Sequence, residues 1–270
     1  MKRGLLVMLM ALLVCSAPAL AAIGHFEDYE DPGWTPDTAW TDTFNVGVRE
    51  THADAGIPAS KPGSTAHYRL DDSISDWAYS KAGGETVWSW HEDWSCSVDV
   101  WIDMDDPQIG TDDWWFELRF SMNKGTNHFR DFTFHVQDDA DAGTVLAYLD
   151  GNSYTHRWPN NSDDIRTREY YAEVSETGWY TFKWHAYDDG GQLRVDSWMD
   201  DQQTSSESQA EWVTSGAEPY GGHKWFILHS YDPDWVYRVD NVAVVLDPIP
   251  EPASLALLGL GGLALLRRRR

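Results

Sequence analysis

Tryptophans and carboxylates are the residues of this chain best suited to chemistry. All sixteen tryptophans lie between Trp34 and Trp235. An indole face packs on the apolar C–H face of a sugar ring, and a neighbouring carboxylate accepts hydrogen bonds from its hydroxyls. Trp101, between Asp99 and Asp103 on the polar side of an alternating run, is the leading candidate for that work. Trp34, Trp158 and Trp235 stand beside turn-forming residues, where a loop-built site would draw on them. For any one tryptophan the plainer reading is core, because aromatic rings dominate the interiors of sheet proteins.

Acidic side chains cluster at Asp103, Asp105 and Asp106, at Asp112 and Asp113, at Asp138, Asp139 and Asp141, at Asp163 and Asp164, and at Asp232 and Asp234. Such hard oxygen donors suit calcium better than any transition metal. None has the EF-hand spacing; the run beginning at Asp138 comes closest and fails, so these clusters read as solvated surface. Paired carboxyls also serve glycoside hydrolysis at separations of about 5–5.5 Å or about 6.5–9.5 Å. Asp103 and Asp105, alternate residues about 6.8 Å apart on a strand, meet that distance. The histidines lack metalloprotease spacing, and neither a Gly-x-Ser-x-Gly elbow nor a phosphate loop is present. The body is therefore expected to be non-catalytic. Cys15 lies in the N-terminal apolar run and leaves Cys96 alone, so no disulfide forms within the body. A formal net charge of −24 repels phosphate backbones and excludes nucleic acid as a partner.

The elements that must carry these residues are strands. Val98, Val100, Ile102 and Met104 alternate with Asp99, Trp101, Asp103 and Asp105, the signature of a half-buried antiparallel strand. Phe116, Leu118 and Phe120 alternate with Glu117, Arg119 and Ser121, and Phe132, Phe134 and Val136 with Asp131, Thr133, His135 and Gln137. Residues 179–187 and 192–199 flank Asp188-Asp-Gly-Gly191, a hairpin turn. Further runs at 65–70, 86–90, 145–149, 224–230 and 236–246 bring the expectation to about ten strands. With no amphipathic helix of ten residues between them, they imply an all-β, two-sheet antiparallel sandwich as a single domain over residues 22–248.

The two ends carry addresses. Lys2 and Arg3, an apolar run over 4–14 and the small-residue site at Ala19-Leu20-Ala21 read as a secretory signal peptide over residues 1–21, removed by signal peptidase. At the other end Pro250-Glu251-Pro252 leads into an apolar run at 253–266, closed by Arg267, Arg268, Arg269 and Arg270. As a helix that run extends only about 21 Å against a hydrocarbon core of about 30 Å. The arginines hold the tail in the cytoplasm and leave the acidic body outside.

Residues 249–270 resemble the PEP-CTERM sorting signal of Gram-negative bacteria. The resemblance implies recognition by an exosortase, transient anchoring in the inner membrane through a short transmembrane helix, and transfer to the cell surface or an exopolysaccharide matrix. A permanent single-pass anchor is the plainer alternative. In the body, the 179–199 hairpin resembles the central pair of laminin-G-like and concanavalin-A-like domains, with Asp200-Asp201 where those have Asp-Gly. His25-Phe-Glu-Asp28 and Val239-Asp-Asn-Val242 resemble the edges of carbohydrate-binding jelly rolls. That likeness implies a jelly roll whose first and last strands are neighbours, with Glu27, Asp28 and Asp240 clamping one structural Ca²⁺. Concanavalin-A-like glucanases carry a Glu-x-Asp-x-x-Glu strand, which the all-aspartate run at 99–105 lacks. The sequence thus points to an exported surface or matrix protein whose ligand is polysaccharide, with a glycoside hydrolase or a purely structural component as alternatives.

Overall fold

A computed structural model of the chain describes residues 22–27, 30, 40–42, 47–70, 78–80, 88–89, 93–107, 109–110, 115–124, 127–139, 141–150, 170–211, 220–229 and 236–246. Residues 1–21, expected to be a signal peptide, Asp28, Trp34, Trp158, Trp235 and the whole sorting segment lie outside the described residues. Among the described residues no helix is long and apolar enough to cross a membrane.

Alternation in sequence becomes alternation in space. In β7 (Trp94–Ile102) every second side chain from Trp94 to Val100 is buried, and Val98, Val100 and Ile102 reach zero exposure. β12 (Gly178–Asp188) turns Phe182, Trp184 and Ala186 the same way, and β13 (Gln192–Met199) turns Leu193, Val195 and Met199. These residues face a second apolar set: Phe116, Leu118 and Phe120 of β8 (Trp115–Lys124), Phe132, Phe134 and Val136 of β9 (Asn127–Asp139), and Val145, Ala147 and Leu149 of β10 (Thr144–Asp150). Phe134 lies edge-on to Trp184 and Phe182 across the interface, at 4.7 and 5.0 Å between ring centres. Each fully buried side chain of this size contributes about 1.5–3 kcal/mol through the water it sheds. The result is the expected antiparallel sandwich of jelly-roll type.

The first sheet runs β14 (Gln202–Glu211), β13, β12, β7, β16 (Tyr237–Leu246), β4 (Ala66–Leu70), β3 (Gly47–Thr51). β1 (Ala22–Glu27) joins beside the C-terminal half of β16, with Glu27 opposite Val242, so the first and last strands are neighbours as expected. The second sheet runs β11 (Ala172–Val174), β10, β9, β8, β15 (Tyr220–His229), β5 (Ala78–Ser80), β2 (Trp40–Asp42), with β6 (Trp88–Ser89) also on β15.

The sequence reading missed β14, whose Gln- and Ser-rich stretch has no apolar alternation. The turn into it is built on Asp200, which takes φ 53°. Its backbone N–H donates to the Thr181 carbonyl at 2.7 Å and its carboxylate accepts from the Thr181 N–H at 2.8 Å. Those local bonds offset the cost of the left-handed conformation. Helix is confined, among the described residues, to one turn, α1 (His52–Ala55), capped by Thr51 and ended by Gly56 at φ 70°.

Candidate functional site

Two irregularities make the outer face of the first sheet more than a wall. One is a bulge in β16, where register shifts between Asp240 and Ala243 and Asn241 takes φ 50°. Bulges re-aim side chains; this one sets Asp240 and Asn241 beside Asp99 of β7. The other is the segment from α1 to β4, residues 52–65, which folds over that end of the face. Ser60 and Ser64 both donate to Asp240 Oδ2, Ser64 at 2.8 Å. Trp179 of β12 donates its indole N–H to the Pro58 carbonyl at 2.7 Å. Asn241 donates through Nδ2 to Asp99 at 2.6 Å and to Ser60 at 2.8 Å, and Thr181 donates to Asp99 at 2.7 Å.

Beyond Ser64 the polar contacts continue as a relay. His52 Nε2 lies 3.0 Å from the Ser64 hydroxyl, His52 Nδ1 3.2 Å from His67 Nδ1, and His67 Nε2 3.0 Å from Glu50. Glu50 also accepts from Arg69 and Arg238, each at 3.1 Å. Glu50 is an acceptor, so His67 carries its proton on Nε2 and offers Nδ1 as a lone pair. His52 must then donate from Nδ1, which leaves a lone pair on its Nε2 facing the Ser64 hydroxyl, whose single proton goes to Asp240 or to His52 but not to both. Burial pushes His67 down to about 4 and lowers His52 as well, so both rings are neutral at physiological pH. Burial pushes Asp240 the other way, to about 6, and raises Asp99 in the same direction. For Glu50, burial alone would raise the carboxyl, but the bonds from Arg238 and His67 outweigh it and hold it low.

The structure corrects the expectation of an open Trp101 platform. Trp101 is only 7% exposed, with its ring 5.6 Å from Trp179 in an edge contact. Asp99 lies hydrogen-bonded beneath the roofing segment, and Asp103 sits past the strand end, where Thr177 reaches it at 3.4 Å. Packing explains the difference: on a roofed sheet the outward-pointing indole is covered just as the inward ones are. Asp240, expected as a calcium ligand, has serines, asparagine and histidine as its neighbours.

Calcium can be tested against these donors. Asp240 Oδ1 accepts from the Asn241 N–H at 2.8 Å, its Oδ2 takes the two serines, and the Asp99 oxygens take Thr181 and Asn241. Among the described residues no three His, Cys, Asp or Glu side chains are grouped to hold a metal ion. Of the expected ligands, Asp240 thus has both its oxygens engaged in hydrogen bonds from the chain itself. The Glu27 side chain and Asp28, the other two expected ligands, lie outside the described residues.

Away from the roof the same face is open. Lys183, His185 and Tyr187 of β12 stand opposite Trp198, Asp196 and Arg194 of β13. Lys183 is exposed and the other five are half-buried. Beside them Ser95 and Ser97 of β7 and Ala243 of β16 form a low floor. Asp196 organises the bank, accepting from the Tyr187 hydroxyl at 2.9 Å and from Arg194 Nε at 3.3 Å, while His185 stacks on Tyr187 at 4.9 Å. Sequence reasoning passed over Trp198 and Tyr187. Their only signal was being out of phase with the buried residues of their own strands, Phe182, Trp184 and Ala186 for Tyr187 and Leu193, Val195 and Met199 for Trp198, which many ordinary surface residues share.

The second sheet carries a different array on its outer face. Tyr148 of β10, His135 of β9 and Glu117 of β8 stand in one cross-strand row. The adjoining row holds Thr133 and Arg119, with Asp131 beyond. All six are at most 7% exposed. His135 Nδ1 lies 3.2 Å from Glu117, its ring stacks on Tyr148 at 5.1 Å, and Arg119 bonds to Glu117 and lies 3.7 Å from Asp131. Burial alone would raise Glu117, but the bond and charge of His135 and the guanidinium of Arg119 hold it below the ordinary range.

These features define an all-β sandwich with one roofed and one open region on one sheet face. Its C-terminal residues 248–270 match the PEP-CTERM protein-sorting motif. The chain therefore ends in an exosortase sorting signal, that of a secreted protein anchored transiently at the membrane before processing. Among solved structures it is similar to an endo-1,3-β-glucanase from Streptomyces sioyaensis, at 10% identity over 86% of this chain and 99% of that one, TM-score 0.47. It is also similar to the CBM2 module of the evolved Dit of Lactobacillus casei BL23 phage J-1 (10% identity, 85% and 97% covered, TM-score 0.42). A non-specific endo-β-1,3(4)-glucanase of family GH16 aligns at 7% identity over 86% and 93%, TM-score 0.41. Likeness at this level carries nothing about activity or ligand. No curated protein matches the chain by sequence.

Proposed function

We propose that this protein is delivered to the cell surface or extracellular matrix of a Gram-negative bacterium and there binds exopolysaccharide without chemical turnover. The observation that carries the reading is the open trough on the first sheet. Half-buried Trp198 and Tyr187 offer ring faces, Asp196, Arg194 and Lys183 offer hydrogen-bonding groups of both signs, and the Ser95–Ser97 floor lets a chain lie flat. The Tyr187 ring, held through its hydroxyl by Asp196, loses little freedom when a sugar stacks on it. A flat, open trough suits an extended polymer better than a small molecule, which binds in enclosed pockets.

The test is a glycan array of neutral and acidic exopolysaccharides probed with the full-length protein. Saturable binding is expected, weakened about tenfold or more by Trp198→Ala, as for loss of one stacked aromatic worth about 1–2 kcal/mol, with an unchanged melting curve. No saturable binding to any member would favour a structural matrix component. Released reducing ends that disappear in Asp103→Asn would favour a hydrolase. Calcium belongs to the same reading as a structural clamp at Glu27, Asp28 and Asp240. A melting-point rise in millimolar Ca²⁺ that Asp240→Ala abolishes supports it, and no rise removes the ion.

A further inference from the structure

The C-terminal sorting signal ties this body to a membrane, and the first sheet decides where the tie is made. Only Asp247, Pro248 and Ile249 separate the end of β16 at Leu246 from Pro250, and the apolar run begins at Ala253. Leu246 stands opposite Trp94 of β7, and Trp94 opposite Ala186 of β12. The tie therefore leaves the sheet at the end closed by the turn at 188–191. Ala22 also pairs with Leu246, so a leader ending at Ala21 departs from that same end. The Gly178–Ile102 pair and the turn at Asp200 mark the opposite end.

The length of the tie limits how the body can sit. From Leu246 to Ala253 the chain extends at most about 25 Å. The polar headgroup layer on one side of a bilayer takes about 5–8 Å of that. Along β12 the row of Ala186, Trp94 and Leu246 lies about 27 Å from the Gly178–Ile102 pair. With the opposite end turned to the lipid, Leu246 would stand about 32–35 Å from the hydrocarbon, beyond the reach of the chain. Adsorption offers no competing pull at the near end, where Asp188 and Asp189 are exposed. Among the described residues the one exposed large apolar side chain, Val48, is level with Arg238, towards the far end.

We infer that the anchored protein stands with the Leu246–Trp94 end of its first sheet and the 188–191 turn facing the lipid headgroups, an orientation set by its short tether. The partner of this end is the lipid surface itself. The 200–201 turn and the roofing segment point away from it. The outer sheet faces, with the open trough between β12 and β13, look sideways and stay clear of lipid.

The experiment places one fluorophore at either end of the β12–β13 hairpin, through Asp189→Cys or Asp201→Cys, both at exposed positions. Cys96 is buried and inert to the label. The anchored form is isolated from cells lacking exosortase, with removal of residues 1–21 checked by intact mass. It is then reconstituted in phosphatidylcholine vesicles that carry a nitroxide on the headgroup. Because the labelled ends differ in height by about 27 Å, quenching at 189 should exceed that at 201 by about threefold or more. About twenty Gly and Ser residues inserted between Asp247 and Pro248 give a tether with a mean span of about 30 Å, which should at least halve the difference. Equal quenching at the two positions, as for a body lying on one face, overturns the inference, and so does stronger quenching at 201. A difference that survives the insertion overturns the tether as its cause.

Discussion

His67 and Asp240 sit within one buried network yet respond to acid in opposite senses. His67, at about 4 in the fold against an ordinary 6.5, binds fewer protons folded than unfolded between those values. Its contribution to stability is full above pH 6.5 and is lost as pH falls through 4, a swing of about 3 kcal/mol. Asp240, at about 6 against 3.8, binds more protons folded than unfolded, so stability drops as pH rises through that window. The expected outcome, read from thermal melts at pH 4 to 8 in chelator, is that His67→Gln flattens the acid limb. Asp240→Asn, which keeps the shape and sheds the buried charge, should raise the melting point at pH 7 and steepen the fall towards pH 4. Neither behaviour was legible in sequence. Val239-Asp-Asn-Val242 offered a resemblance to a jelly-roll edge, but nothing there says that His52 and Ser64, far back in the chain, lie against Asp240.

Elements were read with more success where packing and local pattern agree. The β12–β13 hairpin falls where the sequence put it, with Phe182 to Asp188 paired to Met199 to Leu193. Its turn relies on Gly190 and Gly191 at φ 65° and 91°, where a Cβ meets nothing but the backbone itself is strained for other residues. Gly191→Ala should therefore cost about 1 kcal/mol or more in denaturant unfolding. Gly178→Ala, without positive φ and with only ordinary contact to Tyr180 at 3.7 Å, is the near-neutral control. β14 and β3 escaped detection because a polar edge strand is held by backbone pairing to its neighbour, a property with no side-chain period. Gln202 shows how such an edge is used: its side chain accepts from the Glu173 N–H at 3.3 Å and donates to the Glu173 carbonyl at 3.4 Å, bridging the two sheets.

At the scale of the molecule, the sandwich is joined through its middle as well as its rim. The Trp184 indole N–H crosses the core to the Phe132 carbonyl at 3.2 Å, giving a buried aromatic the partner it needs. The sorting motif adds a history to this body: the mature surface form should lack Arg267 to Arg270, and intact-mass measurement of protein released from cells checks this. Retention of the arginines would point to a permanent anchor. Fold class and sorting could both be read from residue order, because a two-residue period and a terminal sorting motif are each written in consecutive residues. Which tryptophan is covered and which is open, and which carboxylate meets which histidine, depended on a roofing segment and a single bulge. Those contacts join residues as far apart as Ser60 and Asp240, and such pairings exist only once the first sheet and the segment that roofs it have assembled.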